Sequence, residues 1–121
     1  MEITKVNIAS KLGQFSDHWN PRIVGELNGQ QVKLTKLEGE FVWHKHDHED
    51  ELFLLIQGEF RIELRDQTIV LEPGEFVIIP RGVEHRPVSI GESHVMLFEP
   101  ASTLNTGNLT NKFTKENLER I

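Results

Sequence analysis

A chain of 121 residues has room for one hydrophobic core and not for two, and its 37% apolar and 26% charged content is that of a globular domain. Its formal charge of −6, with Lys and Arg scattered along the chain, argues against a nucleic-acid partner, because phosphates need grouped cations. The absence of cysteine excludes disulfides, iron–sulfur clusters and thiolate chemistry. MEITKVNIAS has no basic-then-apolar leader and no apolar run reaches membrane length, so a cytoplasmic protein with no membrane partner is expected.

Glu2–Ile8 alternates imperfectly and reads as an edge strand. Residues 9–21 read as loop with a helical turn near Ala9–Leu12, and Phe15 and Trp19 as lids on one end of the core. An N-terminal hairpin follows, RIVGEL and QQVKLTKLE joined by Asn28-Gly29, a dipeptide suited to the positive φ angles of a type I′ turn. Further strands are expected at Phe41–His46, Glu51–Gln57, Phe60–Arg65, Gln67–Leu71, Glu75–Ile79, His85–Val88 and His94–Glu99. Phe60, Ile62 and Leu64 alternate with charged neighbours, giving one core face and one wet face.

Glu51–Gln57 is apolar on both faces and needs cover on each, from the hairpin or from a second subunit; a homodimer is the expectation. Beyond Pro100 the chain is polar and unpatterned, a surface strap or tail, with Thr114 as N-cap candidate for a short helix over Lys115–Ile121. Many short strands with frequent turn signals describe an all-β antiparallel sandwich or barrel spanning residues 1–121 as one domain.

The densest chemistry lies between His44 and Glu51. On a strand His44 and His46 share a face, and Trp43 and Lys45 point the other way. Asp47-His48-Glu49-Asp50 is too polar to stay a strand and should form a turn, after which Glu51 opens the next strand and faces back toward the pair. His85, also at a strand start, is the candidate fourth member. Three imidazoles and a carboxylate form a sulfur-free donor set suited to one divalent Fe, Mn, Ni, Co or Zn ion. The bland reading of an HxH pair is surface or hydrogen-bonded histidine, and only the two added strand-opening residues move it toward a metal. His48 reads as solvent-exposed, His18 and His94 as structural, and Asp50 as a turn residue or a hydrogen-bond partner fixing a ligand tautomer. Phe41, Phe53, Phe76 and Phe98 read as core.

These residues carry a resemblance to the small single-domain cupins of the conserved-barrel group. Gly39, His44, His46, Glu51 and Gly58 match the family's first motif, over residues 39–58, with Gly39 one residue closer to His44 than usual. Gly74, Pro80, Gly82 and His85 match the second, over residues 74–89, with Ser89 where the family often has Asn. The resemblance implies an antiparallel double-stranded β-helix, the jelly-roll or cupin barrel, with the N-terminal hairpin and a short C-terminal polar tail or helix attached. It implies His44, His46, Glu51 and His85 as ligands of a mononuclear metal and a small-molecule ligand at the open metal positions. The function expected is an oxidoreductase, dioxygenase-like, acting on a small oxygenated metabolite, with Glu51 the one ligand able to serve as catalytic base. The alternatives are a non-catalytic small-molecule binding or sensing protein and a metal-dependent sugar or sugar-phosphate isomerase; the family spans all three, and fold alone does not choose.

Overall fold

The structure, a computed structural model, describes residues 2–121. One short helix, α1 (Ile8–Leu12), precedes six strands: β1 (Arg22–Leu27), β2 (Gln30–Glu40), β3 (Glu51–Leu64), β4 (Thr68–Leu71), β5 (Phe76–Ile79) and β6 (His85–Pro100). The pairings between these strands are antiparallel, in the order β1-β2-β6-β3-β4, with β5 on the other half of β3. β1 and β2 pair across Asn28-Gly29, where both residues have positive φ. No helix among the described residues is long and apolar enough to cross a membrane.

Two pairs of expected strands are each one continuous strand. Glu51–Gln57 and Phe60–Arg65 merge into β3, and His85–Val88 and His94–Glu99 merge into β6. Both change register at the same level, where Gln57 pairs with His94 and Glu59 with Ile90. Gly58 makes this crossing possible: its φ is 112°, and a Cβ there would lie 2.8 Å from the Glu92 carbonyl oxygen and 2.6 Å from Ser93 Oγ. Side chains from both halves of β3 (Phe53 and Leu55 before the bulge, Phe60 and Ile62 after it) meet Leu37, Leu71, Ile79, Val95 and Leu97 in one core. The sheet therefore bends back on itself.

It does not close into the expected barrel: among the described residues no pairing joins β1 to β4. Three further expectations fail. Glu2–Asn7 is exposed and unpaired, and only α1 follows, with Asn7 Oδ1 accepting from the Ser10 amide as its N-cap. Phe41–His46 is not a strand; it touches β6 at the Phe41 amide and at the isolated His44–His85 bridge. The C-terminal residues form no helix. The Ile23 amide donates to the Glu119 carbonyl, and the Ile121 amide to the Ile23 carbonyl. Seven residues gain less from a frayed helix than from the free backbone groups of an edge strand.

The outer face of β3 has cover over part of its length. Leu12 and Phe15 pack on Leu34, with Ile56 and Met96 alongside. Toward β5 the cover ends, leaving Phe76 57% and Ile78 52% exposed, so Phe76 is not the core residue expected.

Candidate metal centre

Two backbone hydrogen bonds set the centre. The His44 amide donates to the His85 carbonyl at 3.0 Å, and the His85 amide donates to the His44 carbonyl at 2.9 Å, so the two residues stand directly opposite. The Gly82 amide donates to the His46 carbonyl at 2.8 Å, fastening the turn before His85 to the strand-like run that carries His44 and His46. On β3, Glu51 shares the inward phase of Phe53 and Leu55. The four residues predicted from the sequence thus arrive from three segments, all buried, with one ligand atom of each within 4.8 Å of the others.

The hydrogen-bonding state of the rings fits a metal. His44 Nδ1 donates to the Val42 carbonyl and His85 Nδ1 to the Val83 carbonyl, both at 2.9 Å, which leaves each Nε2 with a free lone pair. His85 Nε2, both ring nitrogens of His46 and Glu51 Oε1 are buried without a hydrogen-bond partner among the described residues. Glu51 Oε1 lies 3.2 Å from His46 Nε2 and 3.3 Å from His85 Nε2, close but not aligned as hydrogen bonds. So many unsatisfied polar atoms in one spot would be costly. A single divalent ion would take up His85 Nε2, Glu51 Oε1 and one ring nitrogen of His46 together, since ligands about 2.1 Å from one ion lie at most about 4.2 Å apart; the cluster needs only a small contraction. Burial, followed by the nearby His85 charge, lowers the His44 pKa to about 4, so its ring is neutral and available as a donor at neutral pH. Burial alone would raise Glu51, but the imidazoles of His46 and His85 hold its carboxyl well below the usual range.

The other candidates fall outside the centre. His48 is exposed in the turn. His18 and His94 both reach Glu92, at 2.8 and 2.9 Å. Asp50 accepts from the Arg81 amide at 2.8 Å and pairs with its guanidinium, tying two turns together and touching no ligand imidazole.

His44 and Glu51 form one wall of a cavity of ≈ 40 Å³ whose other walls include Trp19, Phe41, Phe53 and Leu97. Trp19 stacks on Phe41 at 4.7 Å, and its indole N–H is held by the Glu38 carbonyl. Phe113 lies 5.2 Å from Phe41, so the C-terminal segment is a strap over the site. The strap's Gly107 sits where a Cβ would lie 2.1 Å from the Lys45 carbonyl oxygen, so only glycine permits that approach. Residues the sequence did not flag also line the cavity: Thr35, Glu99 and Asn105. For Glu99 a signal existed, because it continues the buried phase of Val95 and Leu97, and a carboxylate in that phase requires a partner.

A bent antiparallel sheet around a buried His-His-Glu-His set defines a cupin with the family's metal-binding tetrad. The chain belongs to the Cupin domain family (Cupin_2), which it matches over residues 30–99. It is similar to a cupin-2 domain containing protein from Shewanella frigidimarina NCIMB 400, at 46% identity and a TM-score of 0.77, over 78% of this chain and 93% of that one. It is also similar to protein NMB1881 from Neisseria meningitidis, at 27% identity and a TM-score of 0.74, over 81% of this chain and all of that one (100%). Protein YdbB of Bacillus subtilis strain 168 is 39% identical over 64 residues, which span 52% of this chain and 57% of YdbB.

Proposed function

We propose that this chain is a mononuclear metal enzyme, an oxidoreductase of dioxygenase type acting on a small oxygenated metabolite. The observation that carries the reading is the convergence of four buried donor residues, several with no other partner, on the wall of a largely apolar cavity. His44, His46 and His85 would hold the ion through ring nitrogens and Glu51 through its carboxylate. When bound, the ion supplies Lewis acidity and, if redox-active, electron transfer. Val42 and Val83 fix the His44 and His85 rings in the tautomer that presents Nε2. Trp19, Phe41 and Phe53 keep water from the reacting face. Glu51, ionised at neutral pH, is the group we assign to receive a proton from a substrate hydroxyl.

No Lys or Arg lines the cavity among the described residues, which leaves a sugar-phosphate isomerase without an anion-binding partner. The half-exposed Phe76 and Ile78 support a homodimer through the outer face of β3 and β5, and the absence of cysteine supports a reducing, cytoplasmic setting. Protein reconstituted with Fe²⁺ and offered a panel of diols, diketones and thiols is expected to consume oxygen with at least one of them. No uptake across the panel, in protein shown to hold iron, would remove the dioxygenase reading.

A further inference from the structure

The sheet builds the floor of the metal cavity, and segments outside the sheet close its mouth. Among the described residues that line it, all are buried except Trp19 and Asn105, so the cavity meets solvent between these two. Trp19 belongs to the segment between α1 and β1, and Asn105 to the strap that follows β6. His44 and Glu51 line the cavity and His46 and His85 do not, so a ligand entering by this mouth approaches the ion on the His44–Glu51 side.

Both rims are fastened. Asn105 uses each end of its amide within the strap: Nδ2 donates to the Phe113 carbonyl at 2.8 Å, and Oδ1 accepts from the Lys115 amide at 2.9 Å. The strap is tied in turn to the run that carries the ligands. The Asn108 amide donates to the Lys45 carbonyl at 3.0 Å, and Asn108 Oδ1 accepts from the Lys45 amide at 3.1 Å. On the opposite rim the Trp19 amide donates to the Lys36 carbonyl and its indole N–H to the Glu38 carbonyl, both at 2.9 Å. The indole lies 17° from parallel on Phe41, with the Phe113 ring 6.2 Å away. These contacts hold Trp19 at a φ of 58°, a left-handed conformation that a bulky side chain resists. Asn28 shares that region because the β1–β2 turn requires it, whereas Trp19 lies in no hairpin. A strained backbone held by several surrounding contacts is a mark of a positioned residue, and what the strain positions here is an indole on the rim of the cavity.

That indole cannot turn aside without giving up a hydrogen bond and a ring stack. The space behind it is ≈ 40 Å³, enough for about three waters. We propose that Trp19 is a specificity-determining residue: its indole limits the width of what binds the metal, admitting short aliphatic compounds with chelating oxygens and excluding those with an aromatic ring beside them. This assignment rests on the metal-site reading above and narrows its substrate class by size.

The test uses two probes with the same chelating head, acetohydroxamate and benzohydroxamate, titrated calorimetrically into Zn²⁺-loaded full-length protein. They differ by methyl against phenyl. At an apolar site with an open mouth, burial of the phenyl ring makes benzohydroxamate the tighter ligand. With the indole in place, wild type is expected to bind acetohydroxamate at least about tenfold more tightly, the scale on which a fixed pocket wall discriminates. In W19A the preference is expected to reverse, through a rise of about tenfold or more in benzohydroxamate affinity, with acetohydroxamate affinity within about twofold and zinc content unchanged. W19F, which keeps a ring for Phe41 and shortens the wall, is expected to fall between the two. A wild type that binds benzohydroxamate as tightly as acetohydroxamate overturns the assignment without any variant being needed. An unchanged preference in W19A also overturns it, and an equal loss of both probes, or of zinc, makes Trp19 a support of the fold instead. If W19A does not fold, W19F decides by the same ratio: a shift toward benzohydroxamate supports the assignment and no shift overturns it. If wild type takes up no zinc, the metal reading fails and this assignment with it; zinc uptake without the preference for acetohydroxamate overturns the assignment alone.

Discussion

At the residue scale the molecule concentrates its unsatisfied polarity in one place. His46 has neither ring nitrogen hydrogen-bonded, and His85 Nε2 and Glu51 Oε1 share that condition. H46Q or H85Q should therefore lower metal affinity by more than the roughly 10–100-fold that loss of an outer hydrogen-bond partner costs, measured by chelator competition, while the apo fold is retained. Lys33 makes the opposite case, since among the described residues its charge is matched by Glu99 alone. K33M should cost about 1–3 kcal/mol in urea denaturation, because it leaves the buried Glu99 carboxyl without its partner, and the double variant K33M/E99M should recover much of that loss. Burial and the neighbouring Glu51 charge already push the Glu99 carboxyl well above its usual range. All four ligands were legible in the sequence because period two puts His44 with His46, and strand starts put Glu51 and His85 near them. For Glu99 the sequence offered the buried phase it shares with Val95 and Leu97 but not its partner. Its importance comes from Lys33, 66 residues away, and only the β2–β6 register brings the two together.

At the element scale, two long strands bent at one level do what several short ones were expected to do. Gly58 interrupts the alternation between the two apolar runs as a strand end would, yet it marks a bulge inside β3. G58A should destabilise the protein by about 2–4 kcal/mol, from the strained φ and the overlap with Glu92 and Ser93. Denaturant titration checks this. Opposite the bulge, Glu92 is held at a pKa of about 2 by the His18 ring and then the His94 ring. A depressed carboxyl contributes stability that is present above its ordinary value of 4.5 and is lost as pH falls toward 2. The carboxylate is largely exposed, so the contribution is at most about 1 kcal/mol. The stability difference between wild type and E92Q should be present near pH 5 and shrink steadily as pH falls from there toward 2; a difference independent of pH would refute the pairing. The strap over residues 101–114 had no periodic signal, and its place is set by Gly107 against Lys45 and by Phe113 against Phe41.

For the whole molecule, the doubly apolar β3 was readable as a strand needing cover on both sides, but not what supplies it. α1 and Phe15 cover one end; Phe76 and Ile78 remain exposed at the other. The double variant F76E/I78E should fold, since both side chains already face solvent, and should shift the sedimentation coefficient from dimer to monomer. An unchanged coefficient would place the dimer contact elsewhere, or show that there is none. The bent sheet brings His44, His46, Glu51 and His85 together as a site for one metal ion. Elemental analysis of untagged protein isolated without added metal tests it most directly. The expected result is close to one equivalent of a divalent transition metal per chain, lost in H46Q/H85Q; a folded wild type that neither carries such an ion nor takes one up would contradict it.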